Sequence, residues 1–486
     1  MYVLQAGKYG DAERSERTRS MANLAIKFAG IRSPNPFWLA SGPPTNTGEQ
    51  VERAFEMGWG GAVWKTIGTP IVNVSSRLGG LDEAERRMVG LSNIELISDR
   101  PIETNLKEIA AVKRRFPDRA VIASLMFDSK EEWHEMVKRS QVAGADGLEL
   151  NFGCPHGMCE RGMGSAVGQE PDVVRKITSW VKEVAEIPVL VKLTPNITDI
   201  TEPAEAAVEG GADGIVLINT VRSIIGVDLD KLVPIPSVAG RGTPGGYSGP
   251  AVKPIALHMV SALARDPKVN VPISGIGGIS TWRDAAEFIS LGSTSVQICT
   301  AVMHHGFRII DDLTDGLSNY LDSKGMKSVE ELIGRAAKNV GEWGELELAY
   351  RVRGDIDPDS CIGCQLCYIA CLDGGHCAIH LPEEVLEPGH LAPRYETVKE
   401  RLAARERSSA GGWVTAGTAK VSPGGISAAT GAEKCDFTQV RRRRGPAPAA
   451  YRVPWVDQSQ CVGCNLCSLV CPVEGCVTMK ELPPKE

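Results

Sequence analysis

No apolar run in this sequence approaches the ~20 residues that a membrane-spanning helix needs. The N-terminal stretch Met1–Ser20 is polar and charged, without the apolar centre of a signal peptide. A basic excess is missing too: 53 Lys and Arg face 60 Asp and Glu, a formal net charge of −7, whereas a nucleic-acid binder carries a basic footprint. These absences point to a cytoplasmic protein that engages neither membrane nor nucleic acid, with residues 1–22 as a flexible leader and Met21 as an alternative start. Also lacking is a Gly-x-Gly-x-x-Gly that opens a helix after an early strand. No Rossmann site for NAD(P)H or FAD is therefore expected on this chain. Cysteine is scarce over most of the chain. Of fourteen, only Cys154, Cys159 and Cys299 precede residue 350, and the rest crowd into the last third. That is metal-site clustering in a reducing compartment rather than a disulfide framework.

What is present first is alternation. Hydrophobic content of 43% and charged content of 23% fit a soluble globular chain, and its length calls for more than one domain. Short Val-, Ile- and Leu-rich runs at Phe37–Ala40, Gly61–Lys65, Val121–Met126, Gly147–Phe152, Val189–Pro195, Gly214–Thr220, Val271–Gly278 and Ser295–Thr300 read as strands buried on both faces. Amphipathic segments such as Gly48–Met57, Thr104–Phe116, Lys130–Ala143, Asp172–Glu186 and Trp282–Leu291 read as helices between them. Eight such alternations in roughly 300 residues are the arithmetic of a (β/α)8 TIM barrel; a doubly wound open sheet is the competing architecture. The strand ends carry Ser41, Lys65, Thr66, Asn151, Lys192, Asn219, Thr220, Gly277, Gly278, Cys299 and Thr300. In a barrel these converge on one pole, with the late glycine turns in the usual phosphate position. Together they suit a mononucleotide such as FMN.

One strand ends in Asn151-Phe-Gly-Cys154-Pro-His-Gly-Met-Cys159-Glu-Arg-Gly-Met-Gly164, which puts a thiol at that pole. Cys154 reads either as a half-buried core cysteine or as a reactive thiol at the lip where a barrel does its chemistry. The loop from Gly153 to Gly168, rich in glycine and with little apparent anchorage, is expected to move as a lid.

The second domain carries two iron–sulfur signatures, Cys361-x-x-Cys364-x-x-Cys367-x-x-x-Cys371 and Cys461-x-x-Cys464-x-x-Cys467-x-x-x-Cys471-Pro472. Three thiolates at this spacing wrap one [4Fe–4S] cluster, and the fourth belongs to the other. The first cluster is therefore expected on Cys361, Cys364, Cys367 and Cys471, the second on Cys461, Cys464, Cys467 and Cys371. A zinc site would leave the third and fourth cysteines of each run idle. Cys377, Cys435 and Cys476 lie outside both patterns, and His376 reads as a turn residue. Residues at about 385–450, rich in Ala, Gly, Ser, Pro and charge, read as a flexible insertion. The run Arg441–Arg444 within it reads as a solvated charge block or a dock for an acidic partner. The expected domains are thus a leader at 1–22, a barrel at 23–350 and a ferredoxin-like α+β domain at 351–486.

Asn23–Tyr350 resembles the FMN barrel of the dihydropyrimidine dehydrogenases and, more distantly, of the dihydroorotate dehydrogenases. The resemblance rests on Asn35-Pro-Phe-Trp-Leu-Ala-Ser41, Phe55-Glu-Met-Gly-Trp-Gly60, Lys65-Thr66, Ser92-Asn-Ile-Glu-Leu-Ile-Ser98, Asn151–Gly164, Lys192-Leu-Thr-Pro-Asn196, Asn219-Thr220 and Gly245-Gly-Tyr-Ser-Gly249. His156-Gly-Met with Glu160-Arg-Gly-Met-Gly164 favours the pyrimidine branch. It implies that Cys154 is the proton donor, that Asn93, Asn151, Asn219 and Thr220 hold the pyrimidine, and that Ala40, Ser41, Lys65, Lys192, Gly249, Gly277, Gly278, Cys299 and Thr300 surround FMN. The residue before the cysteine, usually serine in that family, is Gly153 here.

The expected activity is reversible reduction of the C5=C6 bond of uracil or thymine, with hydride from reduced FMN to C6 and Cys154 protonating C5 from the opposite side. Two [4Fe–4S] clusters carry the electrons from an NAD(P)H-oxidising flavoprotein subunit, in a homodimeric core within a hetero-oligomer. Two other readings stay open: a dihydroorotate dehydrogenase with a fused ferredoxin domain, and an electron-transfer module with an inactive barrel.

Overall fold

The eight apolar runs become the staves of a closed barrel. In the computed structural model they are β1 (Phe37–Leu39), β2 (Gly61–Val63), β3 (Ala120–Met126), β4 (Gly147–Phe152), β5 (Val189–Leu193), β6 (Gly214–Leu217), β7 (Ile273–Ile276) and β8 (Ser293–Ile298). Each pairs in parallel with the next, and Val296 of β8 pairs with Phe37 of β1 to close the ring. A sheet closed on itself leaves no unpaired strand edge. The structure describes residues 22–69, 71–83, 86–155, 157–381 and 453–483. The expectations placed on residues 1–21, His156, the insertion at about 385–450, Cys435 and Arg441–Arg444 lie outside the described residues.

Helices α1 (Gly48–Glu56), α2 (Ile102–Arg115), α3 (Lys130–Val142), α4 (Pro171–Lys182), α5 (Thr201–Glu209), α6 (Lys253–Arg265), α7 (Trp282–Ser290) and α8 (Ile309–Ser323) accompany the strands. Their sequences explain their ends and their buried faces. Helix α4 starts on Pro171, whose fixed φ suits a first turn, and buries Val174, Ile177, Thr178 and Val181 along one stripe. Helix α7 begins at a capping box in which Thr281 and Asp284 satisfy each other's backbone N–H groups. Ser129 accepts from Glu132 N–H at 3.3 Å to start α3. The aromatic rings of Trp38, Trp59, Trp64 and Trp133 are fully buried between strands and helices; burying one large side chain contributes about 1.5–3 kcal/mol.

Two excursions from the regular alternation build a roof over the C-terminal ends of the strands. One, between β2 and α2, holds the strands Leu78–Glu83 and Arg86–Asn93; the other, between β6 and α6, holds Val221–Ser223 and Gly245–Ser248. They form one antiparallel sheet in which Gly246 pairs with Asn93. Nothing in the sequence pattern announces this sheet, because glycine and polar residues interrupt its strands and none carries the continuous apolar run of a barrel strand.

The chain divides into two compact units between Gly341 and Glu342, where the sequence places the break after Tyr350. In the second unit the strand Val352–Ile356 pairs antiparallel with Val477–Glu481, and Ile379–His380 with Trp455–Val456. Helix Leu366–Gly374 carries Cys367 and Cys371 of the first cysteine run, and the short helix Leu466–Leu469 carries Cys467 of the second. The runs share one conformation: Gly363 and Gly463 are left-handed, and so are Gln365 and Asn465. A repeated left-handed pair lets each loop curl its cysteines inward.

Candidate functional site

The pole under the roof is a cleft enclosing about 1100 Å³ of empty space, open mouth included. Into it project Ser41, Lys65, Thr66, Asn93, Asn151, Cys154, Lys192, Asn219, Thr220, Gly249, Gly277, Gly278, Cys299 and Thr300. The structure therefore brings together every barrel residue singled out from the sequence except Ala40. Ala40 is fully buried behind the wall, where its N–H donates to Ile298 O at 3.0 Å.

At one end of the cleft the walls are backbone. Gly277 and Gly278 have φ of 130° and 80°, left-handed values that exclude most side chains. The chain can then approach a bound anionic group with bare N–H groups. Thr300 Oγ1 donates to Ser248 Oγ at 3.0 Å, which ties this end to the roof. Burial pushes the Cys299 thiol up to about 11, so it stays protonated at neutral pH.

At the other end lies a chain of amides. Asn151 Oδ1 accepts from Asn219 Nδ2 at 2.9 Å and from Gly153 N–H at 3.2 Å, while Asn151 Nδ2 donates to Thr66 Oγ1 at 2.9 Å. Asn219 Oδ1 accepts from Thr220 N–H at 2.8 Å. Asn93, on the roof, donates to Gly246 O at 3.2 Å. Each side-chain amide keeps an N–H or a lone pair in reserve, the pattern that suits a neutral cyclic imide. Gly153 is part of this arrangement. A Cβ there would lie 2.3 Å from Asn219 Cβ and 2.6 Å from its Nδ2. The space that a serine would use is thus filled by Asn219.

Cys154 is 8% exposed and sits in a small apolar cluster with Ile97, Met126, Met158 and Met163. This corrects the expectation of a weakly anchored lid. Met158 and Met163 are buried, Ser165 N–H donates to Cys154 O at 3.0 Å, and Met163 N–H donates to Met158 O at 3.0 Å. Methionine's flexible chain fills irregular gaps, and the two thioethers hold the loop down although glycines dominate its sequence. Cys159 lies on the short turn Cys159–Arg161, outside the cleft lining.

Both lysines at the pole have carboxylate partners that the sequence did not announce. Lys65 Nζ bonds Glu95, which also takes Arg77 Nη1 at 3.1 Å. Lys192 Nζ lies 3.4 Å from Glu149 Oε1. Gln297 donates from Nε2 to Glu149 Oε2 at 3.0 Å. Glu95, Tyr247 and Gln297 line the cleft as well. For Glu95 a signal existed: it stands two residues after Asn93, so an extended backbone turns both to one face.

In the second unit the thiols fall into two groups. One small cavity is lined by Cys361, Cys364, Cys367, Cys471 and Cys476, the other by Cys371, Cys461, Cys464 and Cys467. Each run thus sends its fourth cysteine to the cavity of the other. Among the described residues no three His, Cys, Asp or Glu side chains close on one point that could hold a single ion; the thiols ring cavities instead. Four thiols around one small cavity are the donor set of a cubane cluster. Cys476 is a fifth thiol at the first cavity, 2% exposed and directed at Asp357 O at 3.8 Å. His376 lines the second cavity, whereas Cys377 is exposed.

Residues 23–321, more than half of the chain, match the profile of the family described as dihydroorotate dehydrogenase. The chain belongs to the dihydroorotate dehydrogenase family. Residues 454–475 match the 4Fe-4S binding domain, so this oxidoreductase joins a TIM barrel to a ferredoxin domain. Within the family it stands with the dihydropyrimidine dehydrogenases. It is 44% identical over 368 residues to the NAD-dependent dihydropyrimidine dehydrogenase subunit PreA of Escherichia coli (strain K12), covering 75% of this chain and 89% of that subunit. It is 43% identical over 335 residues to the chloroplastic dihydropyrimidine dehydrogenase (NADP(+)) of Arabidopsis thaliana, covering 66% of this chain and 79% of that protein. The catalytic subunit of dihydroorotate dehydrogenase B (NAD(+)) from Pyrococcus horikoshii is 39% identical over 317 residues, covering 65% of this chain and 98% of that subunit.

Proposed function

We propose that this chain is the catalytic subunit of a dihydropyrimidine dehydrogenase that interconverts uracil or thymine with the 5,6-dihydro form. The observation that carries the reading is one cleft in which Cys154, Asn93, Asn151, Asn219 and Thr220 stand together with Lys65 and Lys192. The cleft suits FMN: Gly249, Gly277, Gly278 and Thr300 would hold its phosphate end, and Ser41, Lys65, Lys192 and Cys299 its ring. Bound there, FMN supplies the exchange between one-electron and two-electron chemistry. The chain's own part is to bind, orient and protonate. The asparagines present donors and acceptors to the imide, and Cys154 Sγ gives a proton to C5 in reduction or takes it in oxidation. The apolar wall of Ile97, Met126, Met158 and Met163 excludes water from the thiol.

The cleft favours a pyrimidine without a carboxylate over dihydroorotate. Its lining cations, among the described residues, are Lys65 and Lys192, and each already faces a carboxylate, Glu95 and Glu149. A further anion entering next to Glu95 would meet like charge rather than a free cation. The relatives of the orotate branch keep that activity as the second reading. Two [4Fe–4S] clusters on the crossed cysteine sets would carry electrons from an NAD(P)H-oxidising flavoprotein partner. The one stretch with Gly-x-Gly-x-x-Gly spacing, Gly240–Gly245, precedes the strand Gly245–Ser248 instead of opening a helix. Among the described residues no helix is long and apolar enough to cross a membrane. Anaerobic titration of the flavin spectrum tests the activity. Dihydrouracil or dihydrothymine should bleach the flavin and dihydroorotate should not; the opposite order would transfer the chain to the orotate branch.

A further inference from the structure

Beneath the proposed cofactor lies an ionic group with no evident reason to be ionic. Glu149 is fully buried inside the barrel, on β4 one layer below Asn151. The register pairs Asn151 with Lys192 on β5. Glu149 therefore lies two residues, roughly 7 Å along the strand, deeper than the lip from which Lys192 reaches. Lys192 (4% exposed), which also lines the cleft, nevertheless leans back to 3.4 Å from Glu149 Oε1, a charge contact without a hydrogen bond. From β8, Gln297 donates Nε2 to Glu149 Oε2 at 3.0 Å. That bond fixes the amide's orientation, since only its nitrogen can donate to a carboxylate. Gln297 Oε1, buried and without a hydrogen-bond partner, is left on the side chain that lines the cleft. Burying a carboxylate and an ammonium costs several kcal/mol per ion unless the two are paired. A packed apolar layer would fill the same space without that cost.

We infer that Glu149 is a positioning residue for Lys192, and that with Gln297 it sets the charge which the cleft floor presents to the redox cofactor. The pair is neutral as a unit. Lys192 offers an ammonium to the flavin while Glu149 offsets most of its field, and Gln297 adds a fixed carbonyl acceptor. The floor thereby limits how strongly the protein favours the reduced, more negatively charged cofactor. Removing the carboxylate unmasks the ammonium, and adding a second one masks it further.

The inference rests on the reading that this cleft holds FMN, and one experiment separates the two. Wild type, Glu149→Gln and Gln297→Glu are purified, the flavin released by heat is identified, and the midpoint potential of the bound flavin is titrated spectroscopically. Glu149→Gln should favour reduced over oxidised flavin about tenfold more than wild type does, an upward shift of about 30 mV. Gln297→Glu should shift the potential downward by a similar factor. Opposite signs from two neighbouring substitutions are not what general loosening of the barrel produces. If flavin is bound and Glu149→Gln leaves the potential unmoved, or both variants move it the same way, the inference is overturned while the cofactor reading stands. Wild-type protein that neither carries nor takes up FMN overturns both. Should Glu149→Gln not fold, Gln297→Glu decides alone, and an unchanged or raised potential in it overturns the inference.

Discussion

Cys154 owes its place to the residues around it. Asn151 turns the backbone at the strand end, Gly153 leaves room for Asn219, and Met158 and Met163 clamp the loop that follows. A positioned acid contributes about 10²- to 10⁴-fold in rate. Cys154→Ala should therefore keep FMN and bind pyrimidine, yet lose turnover on that scale, whereas Cys159→Ala, outside the cleft, should remain near wild type. Steady-state reduction of uracil by an artificial donor measures both, and near-normal turnover of Cys154→Ala would remove the thiol from the mechanism. The sequence motif named Cys154, but it also suggested a loose loop. Glycine content reports what a backbone is able to do, not which side chains hold it still.

Helices and loops carry the next level of organisation. Helix α1 is fastened to α2 by Glu108, whose carboxylate accepts from Gly48 N–H at 2.7 Å and takes both guanidinium nitrogens of Arg100 at 2.6 Å. The Arg100 bonds hold the Glu108 carboxyl below its ordinary value. A depressed folded-state pKa stabilises the fold above the unfolded value, near ~4.3 for Glu. That contribution is lost as pH falls through the depressed value. Glu108→Gln should cost about 1–2 kcal/mol at neutral pH, given the partial exposure of the group, and the deficit should shrink toward wild type in acid. Denaturant melts at neutral and acidic pH check it; an equal deficit at both would assign the effect to packing. In the ferredoxin domain, the crossed cysteine sets make the two loops depend on each other. Cys471→Ser should damage the cluster of Cys361, Cys364 and Cys367 and spare the other, and Cys371→Ser the reverse. Iron content and low-temperature spectroscopy would show it, and damage confined to each cysteine's own run would refute the crossing.

At the scale of the whole molecule, the chain has a polar cleft at the barrel's pole and a ferredoxin domain, and among its described residues no Gly-x-Gly-x-x-Gly turn that opens a helix. The purified chain should reduce uracil with reduced viologen, which donates single electrons directly to the clusters. NADH or NADPH should give almost nothing until a flavoprotein partner is added. Disrupting the ferredoxin domain should abolish the nucleotide-driven reaction while dihydrouracil still reduces the flavin. Stopped-flow flavin reduction beside steady-state turnover separates the two, and robust NAD(P)H-driven turnover by the lone chain would reveal a nucleotide site of its own.

The sequence by itself determined the eight barrel strands, because a strand covered on both faces is apolar along its whole length and that signal is local. From the strand ends it marked the lip residues of the cleft, and separately it determined the two cysteine runs, whose spacing is itself the ligand geometry. Only the tertiary structure decided the roof, the anchorage of the Cys154 loop and the carboxylates behind the two lysines. Gln297 and Glu149 bond across 148 positions of sequence, and nothing periodic marks either. A lone buried glutamate is written like any strand residue until barrel closure brings its partner to it. Periodicity records which way a side chain faces, and closure alone decides what it meets there.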